Sequence, residues 1–184
     1  MKIAYIVFDG ITWLDMFGVY DAITRLKSGK YIPDIEWEFC CFSTPVKDLY
    51  GLEMVPWKKA NTLNNYNAII VPGGHGTRKL IQDENFLNWI RTAENVEYKI
   101  SICTGSLILG AAGFLKSKRA TTNYLEYETL KPFCGEVVRE RIVEDGNIIT
   151  AGAVAASLDL GLYLCEKWAS HEAVKEIQKK MNYH

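Results

Sequence analysis

The stretch that most constrains this chain runs from Lys99 to Gly113, Lys-Ile-Ser-Ile-Cys-Thr-Gly-Ser-Leu-Ile-Leu-Gly-Ala-Ala-Gly. Ile100 and Ile102 flank Ser101 in β-type alternation, and the small and apolar residues from Ser106 onward suit a buried helix closed by Gly113. Cys103 stands where strand hands over to helix. Two positions to either side lie Ser101 and Gly105, both small. A sharp strand-to-helix turn needs this, because it crowds the flanking side chains while lifting one clear. A free cysteine is ordinarily a small core residue. This spacing instead marks Cys103 as a nucleophile on an elbow. The free N–H groups and positive end of the following helix are expected to favour its thiolate.

Size and composition narrow the rest. A chain of 184 residues with 48% hydrophobic and 23% charged content is expected to form one globular domain over residues 1–184. A formal net charge of −1 leaves no electrostatic footprint for nucleic acid or an anionic membrane. The apolar runs are too short to span a bilayer, and Met1-Lys2 leads into a strand rather than a signal peptide. Cys40, Cys41, Cys103, Cys134 and Cys165 make an odd count without a C-x-x-C pair. Disulfide scaffolds and zinc sites are therefore not expected, and a cytoplasmic location is. Only His75, His171 and His184 are available for any Cys–His chemistry.

In chain order, Lys2 to Phe8 reads as a buried strand turned out by Asp9-Gly10. Met16, Val19, Tyr20, Ile23 and Leu26 keep helical spacing, and Ser28-Gly29 ends that helix. Asp15 just ahead of it is an N-cap or first-turn acid unless its carboxyl points toward Cys103. Strands are expected over Ile35 to Ser43, Leu52 to Trp57 and Ala68 to Val71, with a polar connector at Asn61 to Asn67. Pro72-Gly73-Gly74 breaks the last strand sharply and continues as His75-Gly76-Thr77. This turn matches neither a phosphate loop nor a dinucleotide fingerprint, but its backbone N–H groups could approach a ligand closely.

Further on, Glu84 to Ala93 reads as a helix facing Phe86, Trp89 and Ile90 inward. Arg119 to Thr122 reads as a strand and Asn123 to Leu130 as a helix. Val137 to Glu144 and Asn147 to Ala151 form a hairpin about Asp145-Gly146. Ala153 to Trp168 and Glu172 to Met181 are the closing helices. Strands alternating with helices predict an α/β fold, a three-layer flavodoxin-like sandwich with a mostly parallel sheet. In such a sheet the strand ends converge on one crevice, which places the ligand site near Asp15, Gly74 and Cys103.

Phe8-Asp9-Gly10, Leu14-Asp15-Met16-Phe17-Gly18, Val71-Pro72-Gly73-Gly74 and Ile102-Cys103-Thr104-Gly105 occur in that order. Gly110-Ala111-Ala112-Gly113-Phe114-Leu115, Arg119-Ala120-Thr121-Thr122, the run Val143 to Gly152 and the helix bearing Asp159 follow. Across essentially the whole chain these motifs resemble the ThiJ/PfpI superfamily, with its class I glutamine amidotransferase-like fold. The Cys-Thr-Gly elbow and the aspartate in the first helix most resemble the isocyanide (isonitrile) hydratase branch. The resemblance implies Cys103 as nucleophile and Asp15 as the acid hydrogen-bonded to it. It also implies that the Gly74 backbone and the Thr104 amide hold developing negative charge. A homodimer with the first helix near its interface is implied as well.

Two positions depart from the pattern. Relatives with hydrolytic activities often carry histidine where Asn123 follows Thr121-Thr122, and asparagine cannot shuttle protons at neutral pH. His75 either stands in for that histidine or is a solvent-facing loop residue, and we count it with Gly74 and Thr104 among the substrate contacts. Val19 replaces a common proline, which affects helix entry alone.

The expected chemistry is hydration of a small organic isocyanide through a thioimidate on Cys103. Asp15 would move the proton, its pKa raised by burial and by the neighbouring thiolate. Thr104 would position substrate or water, or serve only as a first-turn helix residue. No cofactor or metal is expected, since no His/Cys/Asp cluster has ligand spacing. Two other readings remain at this point. One is glyoxalase-type conversion of methylglyoxal to lactate, against which the missing histidine counts. The other is a redox or ligand sensor built on the Cys103 thiol. Related domains fused to helix-turn-helix modules regulate DNA, and a chain ending at His184 is expected to carry no such module.

Overall fold

The computed structural model describes residues 1–56, 58–59 and 62–183. The first half contributes β1 (Lys2–Ile6), α1 (Trp13–Ser28), β2 (Glu36–Cys41), β3 (Val46–Lys47), β4 (Glu53–Met54), β5 (Lys58–Lys59) and β6 (Ala68–Val71). Then come α2 (Thr77–Leu80), α3 (Glu84–Arg91), β7 (Tyr98–Ile102), α4 (Gly105–Ala111) and β8 (Arg119–Ala120). A 3₁₀ turn (Tyr124–Glu126) leads into α5 (Tyr127–Leu130) and a second such turn (Lys131–Phe133). The chain closes with β9 (Glu136–Val137), β10 (Ile142–Asp145), β11 (Ile148–Ala151), α6 (Ala156–Trp168) and α7 (His171–Met181).

The main sheet has the order β10-β11-β7-β6-β1-β2-β5, parallel throughout except for β10. β6 and β11 are buried at every residue. Strands covered on both faces read as continuous apolar runs, which is how Ala-Ile-Ile-Val and Ile-Ile-Thr-Ala are written. Helices α1, α6 and α7 pack together as one layer, and α3, α4 and α5 as the other. This is the three-layer α/β architecture the alternation predicts. Local signals hold α3: Asp83 caps it by accepting from the N–H groups of Asn85 and Phe86, and Phe86, Leu87, Trp89 and Ile90 are buried beneath it.

Several boundaries differ from the sequence reading. Helix α1 begins at Trp13, so Asp15 lies inside its first turn rather than ahead of it. β4 does not join the main sheet; it pairs antiparallel with β3 in a separate ribbon. Trp57 and Asn61, which close and open two expected segments, lie outside the described residues. The expected strand at Arg119 to Thr122 shortens to β8 and pairs with β9 in a small sheet of its own. The expected helix from Asn123 splits into the 3₁₀ turn and α5. Helix α2, right after the glycine turn, was not expected, nor were β3, β5 and β9. Four-residue helices and two-residue strands are too short to show a period.

The hairpin turns at Gly146-Asn147, one residue later than expected, with Asp145 still paired to Ile148 and Gly146 at φ 66°, and its first strand begins at Ile142 rather than Val137. The seam between α1 and α6 matters for the site. There Ser157 Oγ donates to the Leu14 carbonyl at 3.1 Å, which fixes the first turn of α1. Cys40, Cys41 and Cys165 are buried and Cys134 is half-buried.

Candidate active site

Cys103 follows β7 with φ 53°, a left-handed conformation that a side chain tolerates only when its surroundings over-determine it. Four hydrogen bonds do so. The Cys103 N–H donates to the carbonyls of Ala151 at 3.0 Å and Gly152 at 2.8 Å. Its own carbonyl accepts from Thr122 Oγ1 at 2.9 Å and Ser106 Oγ at 3.1 Å. The small residue on the far side is a steric necessity, because a Cβ on Gly105 would sit 2.0 Å from the Val71 carbonyl oxygen.

Asp15 meets this turn from α1. Its carboxyl is fully buried, and Oδ2 accepts from the Gly73 N–H at 2.9 Å. The other oxygen, Oδ1, has no hydrogen-bond partner among the described residues. Burial pushes the Asp15 pKa up to about 6, while the Gly73 N–H and the Cys103 thiol beside it hold the rise back. The thiol is pushed up to about 11, first by burial and then by the charge of Asp15. Asn123 and the amide and hydroxyl of Thr104 pull it the other way. The expected thiolate is therefore corrected. At neutral pH the proton rests on sulfur and the charge on Asp15, because burial beside a carboxylate outweighs the start of a seven-residue helix. The expected rise of the Asp15 pKa is found and burial causes it, whereas the expected contribution of Cys103 is reversed: the thiol lowers it by hydrogen bonding.

Thr104 is buried in a short polar chain. The Gly74 N–H donates to Thr104 Oγ1 at 3.1 Å, and Thr77 Oγ1 lies 3.1 Å from the same oxygen while donating to the Gly74 carbonyl at 2.8 Å. The Thr104 hydroxyl in turn has the Gly74 carbonyl within donating reach at 3.3 Å, and its proton is shared between that oxygen and the sulfur beside it. The Gly74 N–H is thus already engaged, so an oxyanion role for it needs that bond to break. The amides of Gly73 and Gly74 instead hold Asp15 and Thr104, the groups on either side of the thiol.

His75 does not join them. Its side chain is exposed and lines a cavity of about 340 Å³ walled by Phe8, Asp9, Phe42, Lys79 and Phe86, not by Cys103. The donor at the sulfur is Asn123, whose Nδ2 lies 3.5 Å from Sγ. In sequence this position stands out only as an asparagine where relatives often carry histidine. The usable signal was there: asparagine moves no proton, but it donates a hydrogen bond.

The arrangement sets a thiol beside a buried carboxyl, with an amide donor from Asn123 at the sulfur. Comparison with known proteins places the chain in a family. The model of the DJ-1/PfpI family matches residues 1–167. The isonitrile hydratase of Pseudomonas putida is 34% identical, with all of this chain and 78% of that protein covered. Protein DJ-1alpha of Drosophila melanogaster is 27% identical over 85% of this chain and 73% of its own. Among solved structures, a ThiJ/PfpI family protein from Pseudomonas syringae superposes with a TM-score of 0.89 at 29% identity, covering 99% of this chain and 74% of that one. Drosophila melanogaster DJ-1beta has the same fold, with a TM-score of 0.84 at 18% identity over 100% and 98% of the two chains. With its elbow, glycine turn and sheet order in place over nearly the full length, this chain belongs to the DJ-1/PfpI family.

Proposed function

We propose that this protein hydrates small organic isocyanides to N-substituted formamides, with Cys103 as nucleophile and Asp15 as proton carrier. The observation that carries the reading is a wholly buried carboxyl set against the elbow thiol and tethered by the Gly73 N–H. The likeness to the Pseudomonas putida isonitrile hydratase supports the substrate class.

Asp15 takes the thiol proton as the sulfur attacks the terminal isocyanide carbon, then delivers it to that carbon, giving a thioimidate. Water then adds to the thioimidate carbon, passing one proton through Asp15 to the nitrogen. The resulting hydroxyl gives its proton to Asp15 as the carbonyl forms and the C–S bond breaks. The N-substituted formamide leaves, and the one proton shared by Asp15 and Cys103 is restored. The Thr104 hydroxyl and amide steady the sulfur and orient the water. His75, on its exposed loop and facing a separate cavity, takes no part in these steps.

The test is formamide production from an aromatic isocyanide, followed by chromatography. Formamide is the expected product. No formamide across several isocyanides overturns the reading, and lactate from methylglyoxal or reversible oxidation of Cys103 would then identify the glyoxalase-type or sensor alternative.

We further propose that the chain works as a homodimer in the cytoplasm. Five free thiols support a reducing compartment, and no described helix is long and apolar enough to cross a membrane. Leu14 and Phe17 on α1, with Leu49, Tyr50, Leu52 and Val55 nearby in sequence to the β3–β4 ribbon, leave large apolar side chains exposed. Leu14 is 54% exposed although it lies one residue from the site aspartate. Sedimentation is expected to give a dimer, and Leu14→Glu to weaken it more than about tenfold. A wild-type monomer at micromolar concentration would end the proposal.

A further inference from the structure

Among the described residues, the donor that reaches the sulfur from outside the elbow and its glycine turn is on the Asn123 segment, and its aim is set by its own backbone. Asn123 Oδ1 accepts from the Leu125 N–H at 3.1 Å and caps the 3₁₀ turn. The amide therefore has its carbonyl engaged and its NH₂ turned to Cys103 Sγ. The Glu126 N–H donates to the Asn123 carbonyl at 2.8 Å, closing the turn. The Glu126 carboxylate in turn pairs with the Arg78 guanidinium. Arg78 Nη1 also donates to the Gly74 carbonyl at 3.1 Å. One guanidinium therefore joins the turn that holds Asp15 and Thr104 to the segment that carries Asn123.

We propose that Asn123 is the donor that stabilises the ionised Cys103 sulfur, and that the Arg78–Glu126 pair is the clasp that positions it. When the thiol proton passes to Asp15, negative charge collects on sulfur, and an N–H donor favours that form over the thiol. Asn123 touches the reacting atom; Arg78 and Glu126 act through it. This inference rests on the reading of Cys103 as the nucleophile. Among the described residues, the titratable group pressing on the sulfur is Asp15 from α1, and Thr104 adds a neutral hydroxyl.

The test is the pH dependence of Cys103 alkylation by iodoacetamide in the intact protein, read by mass spectrometry of the Cys103 peptide. Asn123→Ser keeps an acceptor for the Leu125 N–H but takes the donor off the sulfur. Its alkylation midpoint is expected about half to one pH unit higher than wild type. Glu126→Gln and Arg78→Met are expected to move the midpoint the same way. The double variant Asn123→Ser/Glu126→Gln is expected to move it no further than Asn123→Ser alone, because the clasp works through the amide. A lowered melting temperature with an unmoved midpoint in Asn123→Ser overturns the donor role. Additive shifts in the double variant overturn the clasp. Absence of formamide from the wild type, with these alkylation shifts intact, overturns the hydration chemistry and supports the donor and its clasp.

Discussion

Asp15→Asn is expected to lower kcat/KM for isocyanide hydration by about 10³-fold while making the protein more stable above pH 6, and Cys103→Ala to abolish turnover. Both effects of the aspartate come from one buried carboxyl. In the folded chain its pKa is raised from 3.8 to about 6, chiefly by burial, so the folded state holds this proton more tightly than the unfolded state does. Well below pH 4 the group is protonated in both states and its shift leaves stability untouched. Between about pH 4 and pH 6 the unfolded chain ionises this carboxyl while the folded chain still holds its proton, so stability is lost across that window and levels off once both states are ionised. Asparagine never ionises. Its advantage should be small at pH 4, grow through pH 5, and level off at about 3 kcal/mol above pH 6, the equivalent of about two pH units. Urea denaturation at pH 4, 5, 6 and 7 measures it. Equal stability of wild type and variant at pH 4 and again at pH 7 would show that the carboxyl is not raised, and full turnover by Asp15→Asn would place the proton carrier elsewhere. A group that destabilises the fold while carrying a reaction's proton is an ordinary trade between stability and activity.

What could be read from the chain divides along local and long-range lines. The elbow was legible because Ser101, Cys103 and Gly105 are neighbours in sequence and the steric demand on them is local. The Pro-Gly-Gly break and the capped, amphipathic stretch around Phe86 and Trp89 were legible for the same reason. The convergence of strand ends brings Asp15 and Cys103 to one crevice, but that the carboxyl reaches the thiol itself was implied only by resemblance to a family. The proton's resting place was misread. Helix polarity is visible in sequence, whereas the burial that opposes it comes from the whole fold: Cys103 is 5% exposed and Asp15 not at all. Asn123 was found but undervalued, since its reach to sulfur depends on a 3₁₀ turn where a longer helix had been expected. The Gly74 amide was assigned to substrate because nothing local shows that Thr104 already occupies it.

Gly73→Ala is the second large effect, and it tests whether close fit holds the site together. A Cβ there would lie 2.7 Å from the Thr104 nitrogen, 2.8 Å from Asp15 Oδ2 and 2.8 Å from the Cys103 Cβ. None of these is the loose end of a long side chain. Gly73 cannot simply back away, because its N–H is spent on Asp15 and its carbonyl accepts from the Thr12 N–H at 2.9 Å. The added methyl must therefore pry the carboxyl and the thiol apart. Turnover is expected to fall about 100-fold, chiefly in kcat, since the proton carrier is displaced from the reacting atoms. Stability is expected to fall by about 1–3 kcal/mol from overpacking. The telling readout is the thiol. Asp15 raises the Cys103 pKa by its charge, so a carboxyl moved away lets the sulfur ionise at lower pH. Gly73→Ala should thus turn over more slowly while its cysteine alkylates faster at pH 8. A merely destabilised protein would lose turnover without that opposite shift, and unchanged values of both would mean that the turn accommodates the methyl and that something other than the glycine's close approach positions the pair.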